Sequence, residues 1–209
     1  MKRGLAVVIG LGINGLTVCR ALGRCDVPLL GIDAGKKSIG RHSKYLLEVA
    51  NINSFDDELI SVLCTLTKDV KPLLCPTTDK TVEIISDNYE MLSKNFLIGF
   101  KNPELIKKLL DKNQFRRLAI NYNLKVPLGQ SFYSESKTLL SREITFPVII
   151  KSHKKFYGVV PKAVIAKTSG EASDWIEKYL DASGDCLVEE YIDGLDRDVY
   201  FVFVYYDMD

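Results

Sequence analysis

The stretch Leu187-Val188-Glu189-Glu190-Tyr191-Ile192-Asp193-Gly194-Leu195-Asp196 passes from core to chemistry within four residues. Cys186, Leu187 and Val188 form a short apolar run, which predicts a buried strand. Two adjacent carboxylates follow at once, then a β-favouring Tyr-Ile pair, a glycine turn and Asp196. Carboxylates at the end of a core strand are costly to bury without donors. They mark either a place where hydroxyl, amine or ammonium groups arrive, or a strand end that reaches solvent.

Two upstream stretches bear on that choice. Asp111-Lys112-Asn113-Gln114-Phe115, followed by Val126-Pro127, sets a lysine between two apolar helical stripes: Leu105, Ile106, Leu109, Leu110 before it, and Phe115, Leu118, Ala119, Tyr122 after it. Phe146-Pro147-Val148-Ile149-Ile150-Lys151 closes five apolar residues with a lone lysine, whose stem can pack while its ammonium reaches an edge. Between this strand and the opening stretch lie a strand at Ala163–Lys167 and a capping box at Thr168–Glu171. That box opens a helix whose apolar face includes Trp175, read as core, and Ser183-Gly184 ends the helix. Ser134 to Arg142 reads as a further short helix.

The ordered set of these stretches resembles the ATP-grasp ligases, whose hinge strand holds adenine and ribose between two subdomains. The resemblance implies ATP as cofactor, with Lys112 and Lys151 neutralising phosphate. It implies that backbone from Glu189 through Glu190 and Tyr191 to Ile192 reads adenine, and that Asp196 accepts from ribose hydroxyls. The activity implied is ligation of a carboxylate to an amine or thiol through an acyl phosphate, most like the carbamoyl-phosphate-synthase-like and amino-acid-ligase-like members. Relatives carry a glycine-rich loop over the phosphates. Here Lys154 to Pro161 holds Lys154, Lys155 and Gly158 instead, so lysine side chains replace backbone donors in this expectation.

The N-terminal half has its own rhythm. Gly4 to Ile9 predicts a strand, and Gly10-Leu11-Gly12-Ile13-Asn14-Gly15 is a full G-x-G-x-x-G before a helix from about Ile13 to Gly23. A second strand, Pro28 to Ile32, ends at Asp33, about eighteen residues after Gly15. Such a loop admits an anion to backbone N–H groups, and such an acid takes ribose hydroxyls. An NAD(P)-linked oxidoreductase is therefore a rival reading. The other is that the glycines only make the tight strand-to-helix turn. Strands at Tyr45–Ala50, Pro72–Cys75 and Phe96–Ile98 alternate with helices from Phe55 and after Thr77-Thr78-Asp79, which predicts a parallel sheet. Gly12, Asp33, Thr77, Thr78 and Asp79 then share the rim beyond the strand ends and are a candidate wall of an acceptor-substrate cleft. Helix capping is the competing role for Thr77–Asp79. The polar segment Ser38–Ser43, with a basic tip at Arg41 and His42, is either a solvated loop or a closure over an anion.

The fold class expected is thus α/β: a Rossmann-like parallel sheet domain over residues 1–110, then the first α+β lobe of an ATP-grasp domain over residues 111–209. Val199–Tyr206 predicts a strand of a second lobe. The resemblance places Mg²⁺ ligands on later strands, beyond residue 209, so no metal site is expected within this chain. It implies a fragment, split or degenerate member that binds ATP and is inactive alone. A non-catalytic nucleotide-binding module is the reading outside the enzymes.

Composition excludes other classes. With 46% hydrophobic residues, 26% charged and a formal net charge of +1, no surplus of charge points to nucleic acid or a membrane surface. No apolar stretch is long enough for a membrane-spanning helix. Five scattered cysteines without metal-ligand spacing fit core thiols in the reducing cytoplasm. The partners expected are small-molecule carboxylates and amines, and a homo-oligomer stays open.

Overall fold

Ala6-Val7-Val8-Ile9 forms β1, and its alternating side chains serve two cores. Val7 and Ile9 pack in a cluster with Leu59, Leu63, Ile84 and Ile85, whereas Ala6 and Val8 pack with Cys19 and Leu29. That division fixes the layer order, because a strand buried on both faces needs helices on both sides. The computed structural model describes residues 4–66, 71–135, 140–152, 159–195, 197, 199 and 200. The chain divides into two compact units, Met1–Leu110 and Asp111–Asp209.

In the first unit, β2 (Leu29–Asp33), β3 (Leu46–Asn51), β4 (Leu73–Pro76) and β5 (Leu97–Ile98) join β1 in a parallel sheet of order β3-β2-β1-β4-β5. Helix α1 (Ile13–Arg24) supplies Cys19 to one face. Helices α2 (Phe55–Thr65) and α3 (Asp79–Asp87) cover the other, and α4 (Tyr89–Leu92) and α5 (Pro103–Leu110) complete the unit. The strand order reverses between β1 and β4, where ligands of doubly wound sheets sit. Thr78 caps α3 in a capping box with Thr81, and the Asn102 side chain accepts from the Leu105 amide at 2.9 Å. Both follow the N-cap rule that a short polar side chain takes up an orphan N–H.

The second unit is a four-stranded antiparallel sheet of order β6-β9-β7-β8, built from β6 (Gly129–Tyr133), β7 (Val148–Lys151), β8 (Val164–Ala166) and β9 (Asp185–Glu190). Helix α7 (Ser169–Ser183) buries Ala172, Ile176 and Tyr179 against Val148, Ile150, Cys186 and Val188. The Tyr179 hydroxyl donates to the Pro161 carbonyl at 2.6 Å, so burying its ring strands no polar group. Gly184 ends α7 at φ +78°, a left-handed cap that glycine adopts without penalty. The capping box expected at Thr168 forms in part. Thr168 accepts from the Glu171 amide, but the Glu171 carboxylate reaches back to the Lys167 amide.

Two departures from the sequence reading stand out. β6 was not foreseen. The helix expected over Ser134–Arg142 is also absent from its described part, residues 134–135 and 140–142. Ser134 instead closes onto the end of α7: its hydroxyl bonds the Leu180 and Gly184 carbonyls, both at 3.1 Å, and its amide donates to the Gly184 carbonyl. Those bonds tie residue 134 to the α7–β9 junction as the chain leaves β6. Most of the expected loop Lys154–Pro161, most of the strand expected over Val199–Tyr206, and Asp196 lie outside the described residues.

Candidate functional site

Helix α6 (Lys112–Asn121) begins at Asp111, whose carboxylate accepts from the Gln114 amide at 2.8 Å. The cap fixes Lys112 in the first turn. From there Lys112 Nζ donates to the Ser152 carbonyl at 3.0 Å. Ser152 follows Lys151, the last residue of β7, so the two lysines named from the sequence converge on one strand end. Asn113 secures the start of the helix to β6. Its Nδ2 donates to the Tyr133 hydroxyl at 2.5 Å, and its Oδ1 accepts from Ser131 Oγ at 3.0 Å.

Glu189 lies opposite Ile149 of β7 in the ladder, and Lys151 opposite Leu187. Lys151 and Glu189 are therefore diagonal neighbours on one sheet face, and Lys151 Nζ stands 2.5 Å from Glu189 Oε2. This face is opposite the one that α7 covers, since Cys186 and Val188 alternate with Leu187 and Glu189. On the other flank Glu189 pairs with Gly129 of β6. A Cβ at Gly129 would lie 2.7 Å from both Glu189 Cγ and the Val188 carbonyl oxygen. Glycine there leaves the room that Glu189 occupies.

Glu189 is 8% exposed, and a carboxylate so buried needs cations. It has a second one that the sequence reading passed over: Arg116 NH1 stands 3.7 Å from Oε1 and also donates to the Pro127 carbonyl at 2.5 Å. The available signal was its spacing four residues from Lys112, which puts both on one helix face.

Glu190 points the other way. Its Oε1 accepts from the Thr145 hydroxyl at 2.7 Å and the Thr145 amide at 3.3 Å. These bonds hold its carboxyl below the ordinary glutamate range. The Glu190 amide donates to the Leu128 carbonyl and the Tyr191 amide to the Pro147 carbonyl, which fixes the chain as it leaves β9. Ile192 is 71% exposed. Lys112, Lys151 and Glu189 are thus brought together. Glu190 and Tyr191 continue from them with both amides anchored, and Ile192 follows. Asp196 is outside the described residues.

The rim residues of the first unit sit at its strand ends. Gly10 has φ +87°, and a Cβ at Gly15 would lie 2.2 Å from the Gly10 carbonyl oxygen, so the turn needs glycine at both places. Gly12 caps α1, with open space where its Cβ would be. Thr77 stitches β4 to the loop: its hydroxyl lies 2.6 Å from the Gly10 carbonyl, and its own carbonyl accepts from Asn14. Thr78 caps α3, and Asp79 is the first residue of that helix. Asp33 is only 4% exposed. Its Oδ1 accepts from the Leu11 amide at 3.1 Å, and its Oδ2 lies 3.6 Å from Arg41 NH1. Arg41 also bonds Gly35 and Asn51, and the Gly40 amide donates to the Leu11 carbonyl. The basic tip of Ser38–Ser43 is therefore a 3-10 turn, Ile39–His42, docked on the glycine loop.

No family model matches the sequence, and no curated protein matches it. Solved structures do. An ADP complex of N5-carboxyaminoimidazole ribonucleotide synthetase matches with a TM-score of 0.70 over 92% of this chain and 49% of its own, at 16% identity. L-amino acid ligase from Bacillus licheniformis matches at 0.68, over 92% and 47%, with 13% identity. The biotin carboxylase domain of Hydrogenobacter thermophilus 2-oxoglutarate carboxylase, crystallised with MgADP, ADP and bicarbonate, matches at 0.65, over 91% and 44%, with 18% identity. These are ATP-grasp ligases. The fold of this chain is that of their N-terminal half, and it spans about half the length of the structures it matches.

Proposed function

We propose that this chain carries the ATP-binding part of an ATP-dependent ligase that joins a small-molecule carboxylate to an amine or thiol through an acyl phosphate. The observation that carries the reading is the convergence of Lys112 and Lys151 on the end of β7, beside the anchored segment that follows Glu190. Two ammonium groups at one strand end suit a polyphosphate. Backbone donors and acceptors beyond Glu190 suit the edge of a purine. The Tyr191 amide is taken by Pro147, so the Glu190 carbonyl and the Ile192 amide are the groups assigned to adenine. Asp196 is assigned to ribose on the sequence resemblance alone. Catalysis of phosphoryl transfer is mainly positioning and charge neutralisation. In this reading the lysines neutralise phosphate charge and Glu189 orients Lys151. Within the first unit by itself, the rim of Gly12, Asp33 and Thr77–Asp79 is the candidate wall for the acceptor substrate. Mg²⁺ supplies further neutralisation when bound, and we assign it no ligand on this chain. The ligase activity is proposed for the whole protein, acting in the cytoplasm.

The dinucleotide reading is disfavoured by Asp33. Asp33 is only 4% exposed, with Oδ1 taken by the Leu11 amide and Arg41 standing 3.6 Å from Oδ2. Oδ2 accepts no hydrogen bond from the described residues, so it is the burial of this acid, not a lack of acceptors, that weighs against a ribose. The test is a thermal-shift titration with ATP, ADP, AMP and NAD, with and without Mg²⁺. Adenine nucleotides are expected to raise the melting temperature and NAD to leave it unchanged. Stabilisation by NAD that is lost in Gly12→Val, with no response to ATP, overturns the proposal.

A further inference from the structure

Among the described residues Glu189 has two cations, one on each oxygen, and they differ in exposure. Arg116 is held by the Pro127 carbonyl at 2.5 Å, and its side chain is 12% exposed. Lys151 ends β7, and its side chain is 26% exposed. Lys112 lies one helical turn before Arg116 and reaches the backbone just past Lys151. The arrangement is therefore one carboxylate between a guanidinium held by a backbone carbonyl and a more exposed ammonium.

We infer that Arg116 is a positioning residue, the counter-ion that stays with Glu189 when Lys151 turns to an anionic ligand. The inference rests on the nucleotide reading above. A buried carboxylate that loses its only cation is strongly destabilised, and that cost is subtracted from whatever drew the cation away. With Arg116 on Oε1, Lys151 is shared between Glu189 and a phosphate without stranding Glu189. Without Arg116, Glu189 holds Lys151 as its sole partner and competes with the phosphate for it. Arg116 thus sets how much of the Lys151 charge a phosphate receives, and it acts through Glu189 rather than by touching the ligand. A ligand without phosphate makes no claim on Lys151 and is indifferent to Arg116.

The experiment is calorimetric titration of ADP and of adenosine into the full 209-residue chain. It compares the wild type with Arg116→Gln, Arg116→Lys, Glu189→Gln and the Arg116→Gln/Glu189→Gln pair. Arg116→Gln is expected to weaken ADP about tenfold and adenosine by less than about twofold, with Arg116→Lys recovering most of the loss. In the Glu189→Gln background the same change is expected to cost ADP less than about twofold, because no carboxylate remains to be stranded. Equal losses for ADP and adenosine show a merely structural arginine and overturn the inference. A full loss for ADP that persists in the Glu189→Gln background shows a direct charge effect and also overturns it. If Arg116→Gln does not fold, Arg116→Lys carries the test: its ADP-to-adenosine affinity ratio must stay within about threefold of wild type, and a larger drop overturns the inference. A wild-type chain that binds neither ligand overturns the nucleotide reading itself, a result distinct from binding that ignores Arg116.

Discussion

The Leu11 amide donates to Asp33 Oδ1 at 3.1 Å, across the ends of the first two strands. An acid at that place in a G-x-G-x-x-G unit ordinarily signals a ribose partner. Here it serves the glycine turn itself, and Arg41 stands against its other oxygen.

From that arrangement, Asp33→Ala is expected to destabilise the fold by about 2–3 kcal/mol, because it strands the Leu11 amide and leaves Arg41 without its carboxylate. The figure is kept below the range for fully buried pairs because Arg41 retains some solvent exposure. Urea denaturation of the variant measures it. Unchanged stability would mean that the carboxylate is available for a ligand after all.

Lys151→Ala is expected to weaken ADP by roughly ten- to a hundredfold, the range for a charge-assisted contact to phosphate. The fold should survive, because Val148 and Ile150 keep their burial and Arg116 remains with Glu189. Titration alongside thermal melting separates the two effects. A variant that unfolds but retains full ADP affinity would make Lys151 a structural residue.

The Thr145–Glu190 contact should show itself in acid. The folded state holds Glu190 below its ordinary value, so the stabilisation it gives is fully present above the normal glutamate range, about pH 4–5. It is lost as pH falls through the lowered folded value. The gap in melting temperature between wild type and Thr145→Val is therefore expected to be constant near neutrality and to close at low pH. A gap that widens on acidification would contradict the assignment.

Thiol chemistry offers a readout that needs no ligand. Against the expectation of five core thiols, Cys25 and Cys64 are exposed, whereas Cys19 and Cys186 are buried and Cys75 is half-buried. Burial pushes the Cys75 thiol up to about 11 and the Cys186 thiol up to about 12, which leaves them poor nucleophiles. Mass spectrometry after alkylation at pH 8 should find label on Cys25 and Cys64 within minutes and on the other three only after denaturant. Early label on Cys186 would show that β9 is not the closed central strand described above.

Much of this architecture was legible because local and tertiary signals agree. Apolar runs with glycine turns gave the strands of the parallel sheet, and Thr78, Thr168 and Gly184 marked helix ends by their own chemistry. β6 was hidden because Gly129-Gln130-Ser131-Phe132-Tyr133 offers one core side chain, Phe132. Its polar residues earn their place through distant bonds, such as Ser131 to Asn113. Arg116 was hidden in a helical region already rich in Lys107, Lys108 and Arg117, where its spacing four residues from Lys112 was the local hint and did not by itself separate a buried cation from a solvated one. Asp33 could be placed at its strand end, but its partner could not be read, because a carboxylate suits an amide, a guanidinium and a sugar hydroxyl alike.

The alternation along β9 also bears on how such a chain can diverge. Glu189 and Glu190 are adjacent in sequence yet answer to separate constituencies, Lys151 and Arg116 on one side and Thr145 on the other. Point substitutions can therefore tune ligand chemistry at Glu189 while leaving the joint at Glu190 alone. Insertion or loss of a single residue between Asp185 and Val188 has no such latitude. Placed before Cys186, it would exchange the two carboxylates and push Cys186 and Val188 out of their core together; placed after Cys186, it would split that pair between the two faces, so lineages of this strand are expected to vary in letters but not in length.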